Sequence, residues 1–302
     1  MRRAVALATL VLLTPLATLS AGCLSAPSAP PDIVATFYPL GFVAAALAGD
    51  DLRVETLVPD GTEPHDFEAT PVAIARLAQA RLVVVQGLGL DAWANTLVAN
   101  LGTTAPRVHI ASAGLDGRDN HTSTGATARD PHTWLDPVLF ADQVGALAET
   151  MAQVWPDHAE AILMRADALQ ARLADVDARY QAGLSACQVR TAVVSHDAFG
   201  YLEARYNFSV VAVNGLTPQA EPSPDAMARA IDAARAHNAT VIYFEDLVSP
   251  RVAQLIADEV GATTRVLSPL EGRAAEDRTA GLDFVDIMQR NLDHLREGMR
   301  CA

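Results

Sequence analysis

Apolar runs of strand length alternate with helix-spaced patterns in the first part of the chain. The runs are DIVATFY, LRVETLV, RLVVVQG and RVHIAS, and helical spacing of apolar residues covers 39–49, 68–80 and 90–101 between them. Such alternation predicts a βα repeat, and a βα repeat folds into a parallel sheet.

A second series of the same kind follows in the C-terminal part of the chain. Its apolar runs are RTAVVSH, FSVVAVN, ATVIYFED and TRVLSP. Helical patterns are predicted near 197–206, 224–237, 250–260 and 283–299. The chain therefore contains two similar halves.

A long helical pattern at 137–184 separates the two halves, with one interruption at Trp155 and Pro156. At 1.5 Å per residue, its second part would form a helix roughly 39 Å long, which is enough to join two lobes. We therefore predict an α/β fold of two lobes, each with a mainly parallel sheet, bridged by a long helix. The predicted boundaries are 32–137 for the N-terminal lobe, 138–184 for the linking helical segment and 185–302 for the C-terminal lobe.

The N-terminus has the order of a secretion signal. Arg2 and Arg3 precede an apolar run over 4–19, and small residues then lead to Cys23. The run is short for a bilayer span of about 20 residues. We predict a signal peptide at 1–22 and an exported protein.

The residues before Cys23 resemble a lipobox, in which the cysteine becomes the acylated first residue of a lipoprotein. Ser20 differs from the leucine usual three places before that cysteine, and plain secretion is the alternative. We expect a lipid on Cys23, a flexible Ser/Pro-rich tether over 23–31 and anchoring to the outer face of the cell membrane.

Composition and charge restrict the kinds of partner that the chain can bind. The formal net charge is −14, which argues against nucleic acid as a partner. Half of the residues are hydrophobic, as expected for a globular body with its own core. We expect the folded body to be a monomer.

Three of the eight histidines, His65, His132 and His196, lie in loops that follow predicted strands. Ligand sites of open parallel sheets lie at the carboxyl ends of the strands, so these loops are expected to line a crevice between the lobes. Three imidazoles and one oxygen complete a tetrahedral zinc site. The other five histidines lie in a predicted strand, the long loop or helices: His109, His121, His158, His237 and His294.

An acidic residue lies close in sequence to each of these three histidines. The neighbours are Asp66, Asp130 and Asp197, and each is a candidate to hold the ring of its histidine by a hydrogen bond. A zinc-dependent hydrolase is an alternative, with Glu63 or Asp197 as general base, but the sequence lacks an HExxH motif. A second alternative is an adhesin or structural lipoprotein whose histidines do not bind metal.

From about Ile33 to its end, the chain resembles the zinc- and manganese-binding solute-binding proteins of ATP-binding cassette importers, the cluster A-I binding proteins. The motifs that carry the resemblance, in order, are GTEPHDFEATP at 61–71, DPHTWLDP at 130–137, VVSHDAFGYL at 193–202, EPSP at 221–224 and DFVDIMQRNLDHL at 283–295.

The resemblance implies two (β/α)4 lobes bridged by a long helix, with the metal in the cleft between them. It implies that His65, His132 and His196 are metal ligands, and that the protein is not an enzyme but delivers its metal to a membrane permease with its ATPase. Manganese-selective members tend to offer two carboxylates and two histidines, so three histidines favour Zn²⁺ over Mn²⁺ or iron.

The fourth ligand departs from the family pattern. Where the family commonly has an aspartate, the segment RVLSPLEG has Ser268, and the nearest acid is Glu271. We predict Glu271 as the fourth ligand, because a carboxylate offsets the charge of zinc better than a hydroxyl. A water, Glu221 or Glu245 is the alternative.

Two further cysteines, Cys187 and Cys301, remain once Cys23 is acylated. An even pair in an exported chain favours a disulfide, and two buried thiols are the alternative. The predicted bond would tie the last helix to the C-terminal lobe.

Overall fold

The central strands of both sheets consist almost wholly of buried apolar residues, as parallel sheets covered on both faces require. The computed structural model describes residues 29–115, 117–121, 127–216 and 222–302. The predicted signal peptide 1–22, Cys23 and Glu221 lie outside the described residues.

Among the described residues, the N-terminal part contains six strands and three α-helices before the long helical segment. In chain order they are β1 Ile33–Ala35, α1 Tyr38–Ala48, β2 Val54–Thr56, α2 Pro71–Gln79, β3 Leu82–Val85, α3 Ala92–Asn100, β4 Arg107–Ile110, β5 Asp119–His121 and β6 Thr127–Arg129. The first four strands form a parallel sheet of order β2-β1-β3-β4.

The remaining elements are two long helices and a second α/β unit. They are α4 Pro137–Val154, α5 Ala159–Gly183, β7 Thr191–Val194, α6 Gly200–Tyr206, β8 Ser209–Ala212, α7 Pro224–Ala236, β9 Val241–Phe244, α8 Arg251–Val260, β10 Thr263–Val266, α9 Ala275–Ala280 and α10 Phe284–Met299. Its parallel sheet has the order β8-β7-β9-β10, the same topology as the first. The predicted fold of two parallel-sheet lobes is confirmed.

The core is arranged on the two faces of each sheet. In β3, Leu82 and Val84 face a large core shared with α4, α5 and α10, whereas Val83 and Val85 face a smaller core under α2 and α3. The outer face of the second sheet packs on α7 and α8 in the same way. One continuous core therefore runs from the inner face of one sheet to that of the other.

Helix α5 joins the two lobes along this core. The Arg165 guanidinium donates to the carbonyl of Ala48 at the end of α1, and the Tyr180 hydroxyl donates to the carbonyl of Met288 in α10. The chain breaks between α4 and α5 at Trp155 and Pro156 because a proline cannot continue the backbone hydrogen bonding of a helix.

The quoted motifs contain helix starts, and two of them show how the first turn is capped. In DPHTWLDP, the Asp136 carboxylate accepts the N–H of Val138, and Pro137 is the first residue of α4. In EPSP, Ser223 accepts the N–H of Ala226 at the start of α7. These residues are good N-caps because they satisfy amide groups that the helix leaves unpaired.

Within the described part of the chain, no helix has both the length and the apolar character needed to cross a membrane.

Cys187 and Cys301 form a disulfide that closes a loop of 114 positions. Cys301 follows α10, and Cys187 lies between α5 and β7, so the bond holds the last helix against its own lobe.

Replacing both cysteines by alanine is expected to lower the free energy of unfolding by about 2–5 kcal/mol, because the unfolded chain regains the freedom that a closed loop removes. Urea unfolding of the metal-free protein measures this loss. Two reactive thiols in unfolded, unreduced wild-type protein would contradict the bond.

Candidate metal centre

His65 lies in a one-turn 3-10 helix, Pro64–Asp66, in the loop after β2. The Glu63 side chain caps this turn by accepting the backbone N–H of His65 at 3.3 Å. The His65 side chain retains 10% exposure, and a cavity of about 340 Å³ opens beside it. His65 therefore lies on the side from which the site is reached.

The other two histidines are fully buried. His132 lies in the turn that leads into α4, and His196 follows β7. The turn at His132 comes from the N-terminal half of the chain, whereas His196 belongs to the C-terminal sheet. The three histidines thus approach the cleft from both lobes.

Their rings converge on one point. The ring centroids of His65 and His132 are 5.5 Å apart, those of His65 and His196 5.7 Å, and those of His132 and His196 5.1 Å. One ring nitrogen of each histidine and one carboxylate oxygen of Glu271 all lie within 4.8 Å of one another. The structure brings together all four residues that the sequence predicted.

Glu271 reaches the cleft because the loop after β10 is held tightly at Ser268. The Ser268 hydroxyl donates to Asp246 at 3.0 Å and accepts the N–H of Leu270 at 3.2 Å, and Asn291 bonds both backbone groups of Ser268. Leu270 has a φ of 59°, so the chain turns sharply just before Glu271. The Ser268 hydroxyl is engaged in this loop, and Glu271 alone of the two side chains reaches the histidines.

His132 lies between two carboxylates. Its Nδ1 is 2.7 Å from Asp130 Oδ1 and its Nε2 is 2.9 Å from Glu271 Oε1. Burial by itself would lower the pKa of His132, but the hydrogen bonds and charges of Asp130 and Glu271 outweigh it and raise the pKa to about 10. Without metal, both ring nitrogens carry a proton at neutral pH.

The contacts with the histidines lower the pKa of Glu271, whereas the pKa of its neighbour Glu63 is raised. Burial works to raise the pKa of Glu271, but hydrogen bonds from His132 and His65 hold it well below its usual range. Burial, followed by the repulsion and contact of Glu271 and the charge of Glu245, raises the pKa of Glu63 to about 10. Without metal, Glu271 is therefore ionised beside a protonated Glu63.

His196 is held by a residue that sequence analysis did not assign to it. Its Nδ1 is 3.2 Å from Glu245 Oε2, and its Nε2 is 3.0 Å from the carbonyl oxygen of Leu216. Burial works to lower the pKa of His196, but Glu245 raises it overall. Glu245 follows β9, and its place at the carboxyl end of a strand was the one signal in the sequence that it belongs to the cleft.

The three predicted acidic neighbours have different roles. Asp130 does hold the ring of His132, as predicted. Asp66 is exposed, and the backbone N–H of Asp197 donates to the carbonyl of Gly215. At the His196 ring, Glu245 faces the Nδ1 atom and the carbonyl of Leu216 faces the Nε2 atom.

This arrangement suits a metal that prefers imidazole. A metal bound here would take the place of the proton on His132 Nε2, while the proton on Nδ1 would stay bonded to Asp130 and keep the ring in position. Three imidazole nitrogens and one carboxylate oxygen are a donor set that zinc favours.

The metal-free protein should lose stability as the pH rises from about 6.5 towards 10. The proton on His132 stabilises the native state. This stabilisation is complete below the unfolded pKa of 6.5 and is lost as the pH rises past about 10. The native Glu63 likewise keeps a proton that the unfolded chain releases above pH 4.5. The native state therefore binds more protons in this range, and the free energy of unfolding falls as pH rises.

Thermal unfolding at several pH values, with and without zinc, measures this dependence. The zinc-loaded protein should show a weaker fall, since zinc would already have displaced the proton on His132 Nε2. A metal-free stability that stays constant or rises between pH 6.5 and 9 would contradict the proton assignment.

Two similar α/β lobes that share one buried site between them define the class of two-lobed solute-binding proteins. Within that class, the chain belongs to the ZnuA family, described as "Zinc-uptake complex component A periplasmic", whose model matches residues 33–298. The predicted relationship to metal-binding solute-binding proteins is confirmed.

Named relatives agree with this membership. The chain is 33% identical over 277 residues to the "High-affinity zinc uptake system protein ZnuA" of Bacillus subtilis, covering 88% of this chain and 87% of that protein. It is 32% identical over 276 residues to the "Zinc-binding lipoprotein AdcA" of Streptococcus pneumoniae, covering 88% of this chain but 55% of that protein.

A solved structure has the same fold. The "Zn(II)-bound ZnuA-like domain of Streptococcus pneumoniae AdcA" superposes with a TM-score of 0.78 at 31% identity, covering 90% of this chain and 99% of that domain.

Proposed function

We propose that this chain is the metal-binding component of a divalent metal importer and that its cargo is Zn²⁺. His65, His132, His196 and Glu271 would hold the ion. The observation that carries the proposal is the convergence of three imidazoles and one carboxylate, with donor atoms within 4.8 Å of one another, at the junction of the two lobes. The names of the relatives, which are zinc-uptake and zinc-binding proteins, support it.

The donor set favours zinc over manganese. Imidazole suits zinc, whereas carboxylate, carbonyl and water oxygens suit manganese, and this site offers three nitrogens to one oxygen. The family is defined by metal uptake, and the chain is accordingly not an enzyme.

We propose that the chain delivers its metal to a membrane permease with its ATPase, and the placement of the site between two lobes supports this. The ligands come from two lobes, which we propose divide at the predicted boundaries near 137 and 185. Separation of the lobes would therefore remove two ligands from the other two and lower the affinity for the ion.

We further propose that the chain is exported and anchored by a lipid on Cys23. Arg2, Arg3 and the apolar run that follows support export, and one relative is named a lipoprotein. Release of the Cys23→Ser chain into the soluble fraction, with the unsubstituted chain kept on membranes, tests the anchor. Equal release of both chains would contradict it.

Competition dialysis tests the choice of cargo. The metal-free protein is dialysed against equal concentrations of Zn²⁺, Mn²⁺ and Fe²⁺ and its metals are counted. We expect zinc in large excess over the other two. Preferential retention of manganese or iron would overturn zinc as the cargo.

A further inference from the structure

Three buried glutamates form a second cluster in contact with the histidines. Glu63, Glu245 and Glu271 are 7, 2 and 1% exposed. They come from the loops after β2, β9 and β10, and a carboxylate oxygen of each lies within 4.8 Å of those of the other two. Glu271 belongs to both this cluster and the histidine site.

In each of the three carboxylates, the two oxygens have different surroundings. One oxygen faces the histidine site: Glu271 Oε1 contacts His65 and His132, Glu245 Oε2 contacts His196, and Glu63 Oε1 accepts the backbone N–H of His65. The other oxygen of each glutamate is buried and has no hydrogen-bond partner. These unpartnered atoms are Oε2 of Glu63, Oε1 of Glu245 and Oε2 of Glu271.

Unpartnered buried carboxylate oxygens are costly, and proteins normally neutralise them. Elsewhere in this chain arginines do so: Arg205 binds the carboxylate of Asp136, and Arg290 binds that of Asp277. Among the residues that the structure describes, no arginine forms an ion pair with any of the three glutamates. Histidines contact Glu271 and Glu245 only through the oxygens that face the histidine site, and in the metal-free protein a proton neutralises Glu63. A bound cation would take the place of that proton and face the far oxygens of the three carboxylates.

We propose that Glu63, Glu245 and Glu271 form a second cation site, an all-oxygen site for a hard divalent ion such as Mn²⁺, with Glu271 bridging it to the zinc. The proposal rests on the proposed function for the role of Glu271. Carboxylate oxygens are the donors that such ions prefer. Paired metal sites that share a carboxylate hold their ions about 3.5–4 Å apart, which fits two adjoining donor sets with one residue in common.

Manganese titration of the zinc-saturated protein tests this site. The electron paramagnetic resonance signal of aqueous Mn²⁺ falls as the ion binds, and elemental mass spectrometry counts zinc in the same samples. We expect the wild-type chain with one zinc to bind one further Mn²⁺. The Glu63→Gln chain should bind that Mn²⁺ at least tenfold more weakly, and Glu68→Gln, which changes an exposed acid of the same loop, should bind it as the wild type does.

The outcomes separate the two proposals. Zinc at one per chain with no further Mn²⁺ in the wild type would overturn the second site and leave the proposed function intact, as would equal Mn²⁺ binding in wild type and Glu63→Gln. A Glu63→Gln chain that no longer retains zinc would also overturn it, because Glu63 would then belong to the zinc site. Absence of zinc from the saturated wild type would refute the proposed function instead.

Discussion

His132→Ala is expected to weaken zinc binding by at least about a hundredfold. Loss of a residue that merely orients a metal ligand costs about 10–100-fold in affinity, and His132 is proposed as a ligand itself. It is also fully buried, so no neighbouring solvent-exposed group can take its place. Competition against a fluorescent zinc chelator at pH 7.5 measures the change.

His109→Ala is the matched control. His109 is also buried, at 9% exposure. It lies in β4, outside the cleft, and its Nδ1 is hydrogen-bonded to the hydroxyl of Thr150. Its loss should leave zinc affinity within about twofold of wild type. Both variants should unfold cooperatively, because each removes one polar ring and leaves every residue of the apolar core unchanged. Equal zinc affinity in His132→Ala and wild type would refute the ligand assignment.

Glu271→Gln is expected to weaken zinc binding by about 10–100-fold while preserving the shape of the site. Three neutral imidazoles leave the double charge of zinc unbalanced, and the amide removes the one negative charge among the four donors. Isothermal titration with a competing chelator measures the affinity.

Ser268→Ala is the control for the same loop. It removes the contacts to Asp246 and Leu270, so it should lower stability by roughly 1–3 kcal/mol. Its effect on zinc should nevertheless be smaller than that of Glu271→Gln, because Glu271 itself remains. The reverse order of the two affinities would show that Glu271 is not the fourth ligand.

The features that follow from local patterns could be predicted from the sequence. Apolar periodicity located the strands and helices of both lobes because parallel sheets need continuous apolar strands and their covering helices need one apolar face. His65, His132 and His196 could be found for a related reason: loops at the carboxyl ends of parallel strands always meet at one edge. The helix α9 and the hairpin of β5 and β6 were not predicted, since both are short and lack a clear period.

The carboxylates of the cleft depend on contacts that no local pattern records. Glu245 meets His196 across 49 positions of sequence, and the partner predicted for His196 was its neighbour Asp197. The direction of Glu271 depends on the left-handed conformation of Leu270 and on Asn291 holding the loop from α10. Proximity in sequence predicts the contact of Asp130 with His132, because the two residues share a turn. It does not predict the contact of Glu245 with His196.

The most direct test of the zinc-binding assignment is a metal count on the purified protein. The chain without residues 1–31 is purified without added metal, dialysed extensively, and analysed by elemental mass spectrometry alongside a variant in which His65, His132 and His196 are alanine. We expect one tightly held zinc per wild-type chain and less than about a tenth of that in the variant. Equal zinc in both proteins, or a different metal held at one per chain, would contradict it.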